Sequence, residues 1–378
     1  MPLDSLSPEL ILWTDPQRAP LAGQIIRTMG AAVRLIGIGG PRGGDSLQLA
    51  LNHTLSRTDD LRKLLVEHPA TFLLLASTDA IDPKLLQLAM NQGTTVLALE
   101  PIASLFEQII NTKAPQGDGK LLAIPAFTFG PAWVKAGETH DILGNIRLIA
   151  FESTGPAVQQ TLHARLAEAW QIISRFTAMP ESIDASLIGP LSEIPEDPRA
   201  ITGHLTAHAR LPRGASAQVT LSDQTSNHQR RLVVIGDQGR LIMTDTAYQL
   251  YGEDTENNLK DVLIEDIDLQ HSLRDIPPIP KSKTDIAPGS AATPASPAAS
   301  PTDMTASVTT TPPHLGDTLF AQLAAAQWQR LIEHPDHPWT TSSTQDQAAN
   351  LACQLASLLS ARTGQSESPG KMAMLAGK

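Results

Sequence analysis

The strongest constraint on the fold is the regular alternation of short apolar runs with segments of helical period over the first 125 residues. Leu10–Thr14 is a first apolar run, and Leu21–Met29 sets Leu21, Ile25, Ile26 and Met29 on one helical face before Gly30. Ala31–Ile38 is a second strand, and Leu47–Leu55 reads as a short helix. Asp59–Val66 begins with two acids suited to a helix N-terminus. Phe72–Ser77 is almost wholly apolar, as strands buried on both faces are. Pro83–Gln92 is helical up to Gly93, Val96–Leu99 is a strand, Ile102–Asn111 a helix and Leu121–Ile124 a fifth strand. Strands and helices alternating through short connections form a parallel, doubly wound sheet, so residues 1–125 are expected to be a Rossmann-like α/β domain.

Beyond that point the pattern changes. Ile146–Phe151, Ile183–Ile188, Ala200–Leu211, Ala215–Ser222, Arg230–Ile235 and Arg240–Thr244 read as strands, with one long helix at about Ala157–Phe176. Gly236–Gly239 between two apolar runs is a hairpin signal. Residues 126–275 are therefore expected to be an α+β domain with a mainly antiparallel sheet open on one face. Residues 276–313 are rich in Pro, Ala, Ser and Thr and nearly devoid of large apolar side chains. Such a stretch buries too little surface to offset its ordering entropy, and the composition predicts a disordered linker. Residues 314–362 carry two amphipathic helices, Leu319–Ile332 and Thr344–Arg362, expected to pack back on the fold, and 363–378 is expected to fray.

Charge narrows the function classes. The chain of 378 residues has 28 basic and 39 acidic side chains, a net charge of −11. That balance argues against nucleic-acid binding, which needs clustered cations to displace counterions. Cys353 is the one cysteine, so an internal disulfide and a cysteine-rich metal site are both excluded. No apolar run approaches the roughly 18 residues that read as a membrane span. The start of the chain, with no basic stretch before its short apolar run, does not read as a signal peptide. A cytoplasmic protein with no membrane partner is the expectation.

The stretch Asp59–Ser104 resembles the Gfo/Idh/MocA oxidoreductases, the glucose–fructose oxidoreductase and inositol dehydrogenase relatives. Its DDLRKLLVEHPATFLLLAS and LLQLAMNQGTTVLALEPIAS follow that family's order of helix, strand, helix ending before Gly and Val, and strand ending in Glu-Lys-Pro. Gly93-Thr-Thr-Val96 and Glu100-Pro101-Ile102-Ala103 fall in those places. Gly144-Asn-Ile-Arg147 is similar to the family's entry into its second domain, and Arg231–Gly239 (RLVVIGDQG) to its hairpin. The resemblance covers most of the chain except the linker, and it implies NAD(P)-dependent oxidation of a sugar or polyol.

Departures fall where the chemistry would be. The resemblance implies a glycine-rich loop after the first strand, where pyrophosphate approaches a helix N-terminus. Here that segment is Asp15-Pro-Gln-Arg-Ala-Pro-Leu-Ala-Gly23, without the glycines, with two residues lacking an N–H and an acid facing the phosphate. The acidic ribose ligand expected at the end of the second strand is replaced by Gly39-Gly40. Aligned on Pro101, the catalytic lysine position holds Glu100, and a carboxylate cannot supply the ammonium that protonates a substrate oxygen. Aligned backward from Pro180, the family's Asp, His and Asp of the long helix become Ala164, Glu168 and Gln171. A one-residue shift would bring His163 to the first position without restoring the set. The family's Ala-Thr-Pro corner is Ala76-Ser77-Thr78.

Several features admit two readings. Gly37–Gly44 (GIGGPRGG) is either a plain loop or an anion-binding nest in which Gly39, Gly40 and Arg42 meet a nucleotide, with Ser77 and Thr78 nearby. Glu100 and Glu168 are either solvated or a carboxylate pair for acid/base or metal chemistry. His204 and His208 lie four apart in a strand, about 13 Å by strand rise, too far to share a metal. His334 and His337 sit in a proline-broken loop, Trp13 and Trp170 read as core, and Cys353 as an inert thiol in an apolar helix.

Two functions remain. One is a pseudoenzyme with the fold kept, the hydride chemistry lost, no resident cofactor or metal, and a binding or assembly role. The other is an active NAD(P)-dependent sugar or polyol oxidoreductase with a variant site. A small-molecule ligand fits either. The face of Ala200–Leu211 bearing Thr202, His204, Thr206, His208 and Arg210 predicts a homo-oligomer through the second sheet.

Overall fold

The computed structural model describes residues 7–41, 54–77, 81–101, 121–123, 132–133, 140–190, 193–245, 247–253, 259–262 and 344–376. The expected helices Leu319–Ile332 and Ile102–Asn111, most of Leu47–Leu55 and the linker 276–313 lie outside these residues.

The first sheet contains β1 (Glu9–Thr14), β2 (Arg34–Gly39), β3 (Arg57–Thr58), β4 (Phe72–Ala76), β5 (Thr95–Ala98) and β6 (Leu121–Ala123). Their order is β3-β2-β1-β4-β5-β6, and every pairing is parallel. The chain winds outward both ways from β1, which makes the β1/β4 junction the switch point of the sheet. Alternate residues of each strand feed different layers. Leu10, Leu12, Ile38, Leu74 and Leu97 pack with Leu21, Ile25 and Ile26 of α1 (Ala19–Met29). Ile11, Trp13, Leu73, Leu75 and Val96 pack on the opposite face with α2 (Leu61–Glu67) and α3 (Pro83–Asn91). Burial on both faces is why these strands read as unbroken apolar runs. Asp60 caps α2 by accepting from the N–H groups of Arg62 and Lys63, and Asp82 caps α3 through Lys84 N–H.

The second sheet has eight strands in the order β14-β13-β12-β11-β7-β10-β9-β8. They are β7 (Ile146–Pro156), β8 (Ser182–Ile188), β9 (His204–Arg210), β10 (Ser216–Ser222), β11 (Gln224–Gly236), β12 (Gly239–Thr244), β13 (Tyr248–Glu253) and β14 (Leu259–Val262). Only the β7–β10 pair is parallel. One face is covered by α4 (Leu162–Ile173) and α5 (Thr344–Thr363), which share a core with Phe151, Leu205, Ala207, Leu232, Val234, Leu241 and Met243. His204, Thr206, His208 and Arg210 point the other way and are exposed. Trp170 Nε1 donates to Ser357 Oγ at 3.1 Å, and Ser360 Oγ accepts from Ala185 N–H at 2.9 Å, fixing α5 against α4 and β8.

The two places of family resemblance in this domain meet each other. Asn145 donates its backbone N–H to Asp237 Oδ1 at 2.8 Å and its side-chain amide to Oδ2 at 2.9 Å, tying the domain entry to the β11–β12 hairpin. Gly144 turns there at φ +66°, and a Cβ on it would lie 2.2 Å from Asp237 Oδ1.

Four expectations change. The long helix is shorter than Ala157–Phe176, because Thr161 caps it at its start through Ala164 N–H. The strand expected from Ala200 begins at His204, since Pro198–Ala200 forms a 3-10 turn. Strands β3, β13 and β14 are additions that short, mixed sequences did not advertise. The end of the chain, expected to fray, instead holds α6 (Pro369–Ala376). Glu367 pairs there with Ile183 through backbone hydrogen bonds of 2.8 and 2.9 Å, which supply the partners a frayed end would lack.

Candidate functional site

In an open parallel sheet the ligand crevice lies beyond the carboxyl ends of the strands at the switch point. At that point β1 and β4 are joined across their ends: Asp15 N–H donates to Ala76 O at 3.3 Å and Thr14 Oγ1 to the same oxygen at 3.1 Å. Asp15 is buried and folds back on the turn that follows. Its Oδ1 accepts from Arg18 N–H at 2.9 Å, and its carbonyl accepts from Ala19 N–H at 3.0 Å. Pro20 brings no N–H to the first turn of α1. The amide donors that an open helix N-terminus would offer an anion are thus partly spent on Asp15 and partly missing.

The Arg18 side chain runs from this turn into the junction of the two domains. It is 1% exposed and forms an ion pair with Glu100, just beyond β5. Arg18 Nη2 also reaches Ala157 O at 3.5 Å. Glu100 in turn sits on the N-terminus of α4, where Oε1 accepts from Thr161 N–H at 3.2 Å and Oε2 from Thr161 Oγ1 at 2.6 Å. Thr161 Oγ1 at the same time accepts from Ala164 N–H at 3.1 Å. A carboxylate at a helix N-terminus beside a guanidinium is favourable on both counts, through the helix dipole and through charge-assisted hydrogen bonds. Glu100 therefore stands in a built carboxylate site that joins β1, β5 and α4.

The end of β2 is closed by packing. Gly40 N–H donates to Thr58 O at 3.1 Å, and Arg57 Nη2 donates to Gly40 O at 3.0 Å and Pro41 O at 2.8 Å. Gly39 lies under the ring of Trp13. Ser77 is buried at the end of β4, while Arg42 and Thr78 lie outside the described residues.

Glu168 belongs to a different cluster, under the second sheet. Its Oε1 is 3.0 Å from Arg230 Nη1, and its Oε2 accepts from Gln160 Nε2 at 3.0 Å. Arg230 Nη2 lies 2.7 Å from Asp245 Oδ1, and His228 Nε2 lies 3.4 Å from Asp245 Oδ2. Arg165 donates to Ser153 Oγ at 2.9 Å, and Gly155 leaves room for its guanidinium. Burial opposes the charge on Arg230, but Asp245 and Glu168 outweigh it and hold its pKa above the usual value. Burial likewise opposes the Asp245 carboxylate, and Arg230 overrides it and holds its pKa low. Burial brings Arg165 down to about 10 and lowers His228 and His163 below the ordinary histidine value.

The structure thus gives Glu100 and Glu168 separate arginines, Arg18 and Arg230, with no hydrogen bond between the two carboxylates among the described residues. Ala164 and His163 are buried in the first turn of α4, and Gln171 is half-buried near its end. No group of three or more His, Cys, Asp or Glu among the described residues could hold a metal ion. Sequence reasoning passed over Arg18, Arg165, Arg230, His228 and Asp245. The available signal was a cation inside an otherwise buried helical face, as at Arg165, where a structural arginine requires a partner.

The sequence matches no protein-family profile and no curated protein. Solved structures match its fold. An oxidoreductase from Agrobacterium radiobacter, solved in complex with NAD+, L-tartaric acid and magnesium, aligns with a TM-score of 0.63 at 15% identity, over 97% of this chain and 99% of that one. A myo-inositol dehydrogenase from Corynebacterium glutamicum gives 0.61 at 13% identity, over 96% and 99%. An oxidoreductase from Sinorhizobium meliloti gives 0.63 at 13% identity, over 94% and 98%. The chain therefore has the two-domain fold of the Gfo/Idh/MocA-type oxidoreductases.

Proposed function

We propose that this protein is a pseudoenzyme: an oxidoreductase fold that has given up nicotinamide binding and hydride transfer for a binding or assembly role. The observation that carries this reading is the Asp15–Arg18–Glu100–Thr161 chain of contacts at the switch point. The residues there do not fit a dinucleotide. Asp15 takes the turn's amide donors and brings negative charge where a pyrophosphate would lie. Arg18 and Glu100 fill the junction beyond β1 and β5, and Glu100 holds the position where the family resemblance calls for a lysine. Gly39 and Gly40 serve packing and backbone pairing at the end of β2.

The assembly role fits the second sheet. Its outer face carries His204, Thr206, His208 and Arg210, exposed and neither strongly apolar nor of one charge sign, as a partly polar homo-oligomer contact would be. No helix among the described residues is long and apolar enough to cross a membrane. With Cys353 a buried free thiol, the reading places the protein in the cytoplasm.

The test is a turnover assay. Purified protein is incubated with NAD+ or NADP+ and a panel of sugars, polyols and hydroxy acids, and reduced nicotinamide is followed by absorbance. The reading expects no turnover above a protein-free control. Enzyme-dependent reduction that is lost in an Arg18→Ala variant would establish the alternative, an active oxidoreductase with a variant site.

A further inference from the structure

We propose that Arg18 and the N-terminus of α4 together form a binding site for a small carboxylate, which Glu100 occupies as an internal stand-in and from which an external carboxylate can displace it. The inference rests on the reading of this junction as closed to a dinucleotide, and it adds the class of ligand the junction takes.

Three observations carry it. First, the fit of a carboxylate is displayed by Glu100 itself. One oxygen meets Arg18 and Thr161 N–H, and the other accepts from Thr161 Oγ1. Second, Arg18 has capacity left over. It is 1% exposed, yet its Nε and Nη1 have no hydrogen-bond partner among the described residues. A guanidinium offers five donors in a planar fork that matches a carboxylate bidentately, and Glu100 engages only Nη2. A carboxylate approaching along the Nε edge would satisfy donors that burial otherwise leaves unpaired. Third, the two partners are unequally held. Glu100 is 11% exposed and lies outside the body of β5, so it is the member at the edge that can move. Arg18 is held by Asp15 at its backbone and by the fold around its side chain.

Removing the stand-in exposes the site. In Glu100→Ala, the Arg18 guanidinium and Thr161 keep their donors and lose their acceptor. The variant should melt below the parent in sodium chloride. Sodium acetate at matched ionic strength should raise its melting temperature saturably, with an apparent affinity about tenfold or more above that of the parent. Inorganic phosphate should give a smaller shift, because the fork and the Thr161 pair match a planar carboxylate. The double variant Arg18→Leu/Glu100→Ala should lose the acetate response. Should Glu100→Ala fail to fold, Glu100→Ser is read in the same way, and folding recovered by acetate counts as binding. No acetate-dependent gain in folding or melting temperature for either variant would overturn the proposal, as would a gain that survives the Arg18→Leu change. Failure of the closed-cleft reading shows separately, as stabilisation of the parent by NADH.

Discussion

The ring of Trp13 is stacked so closely over Gly39 that a Cβ at residue 39 would lie 2.7 Å from Cε3 and Cζ3 of that ring. The two residues are partners in the parallel β1–β2 ladder, and Leu64 of α2 closes the same space at 3.0 Å. The glycine is there because the ring is. Restoring the acid that the family resemblance expects at this strand end, by Gly39→Asp, should therefore disturb the core without creating a ribose contact. Overpacking and an unpaired buried carboxylate together should cost about 2 kcal/mol or more in a urea melt. A variant as stable as the parent would show that Trp13 moves aside easily.

Arg230 is the centre of the buried cluster under the second sheet. Arg230→Met should leave Glu168 and Asp245 buried without their shared cation and cost about 3–5 kcal/mol in denaturant unfolding. A loss below about 1 kcal/mol would mean that water or a neighbouring cation replaces the guanidinium.

Acid should destabilise the protein over two pH windows. His163 and His228 are both held below their ordinary value of 6.5, chiefly by burial. The unfolded chain then binds more protons in the window under 6.5, so stability rises with pH through that window and falls on acidification. Asp245, held below its ordinary 3.8, adds stability that is present above that value and is lost as pH falls through the depressed one. Melting temperature followed from neutral pH downward should decline below about pH 6.5, and His163→Gln should reduce that decline. An unchanged slope in the variant would remove His163 from the account.

Much of this was legible in the sequence, for identifiable reasons. Strands buried on both faces, such as Phe72–Ala76, announce themselves by composition, and the acids at Asp59 and Asp60 mark the start of α2. The two-residue β3 and the outer strands β13 and β14 carry too few residues of one pattern to stand out. Of the candidate site, Glu100 and Glu168 stood out in the sequence by their place in the family resemblance. Their partners did not, because Arg18 and Glu100 are 82 residues apart and neither Arg230 nor Asp245 marks its partner by spacing. Pairing of buried charges is decided by the tertiary fold.

The outer face of the second sheet should be an interface. Light scattering at micromolar concentration should give at least a dimer, and the double variant His204→Glu/Thr206→Glu should shift it toward monomer by placing like charges in the contact. A monomeric parent, or a variant of unchanged mass, would contradict an interface at β9.

The proposed closure of the turn after β1 to a dinucleotide is tested by direct titration. Purified protein titrated with NADH and with NADPH, followed by nicotinamide fluorescence and calorimetry, should show no saturable binding tighter than about 10 μM, or roughly 7 kcal/mol. A tighter dissociation constant for either cofactor, abolished when the turn residue Arg18 is changed to Ala, would contradict the account.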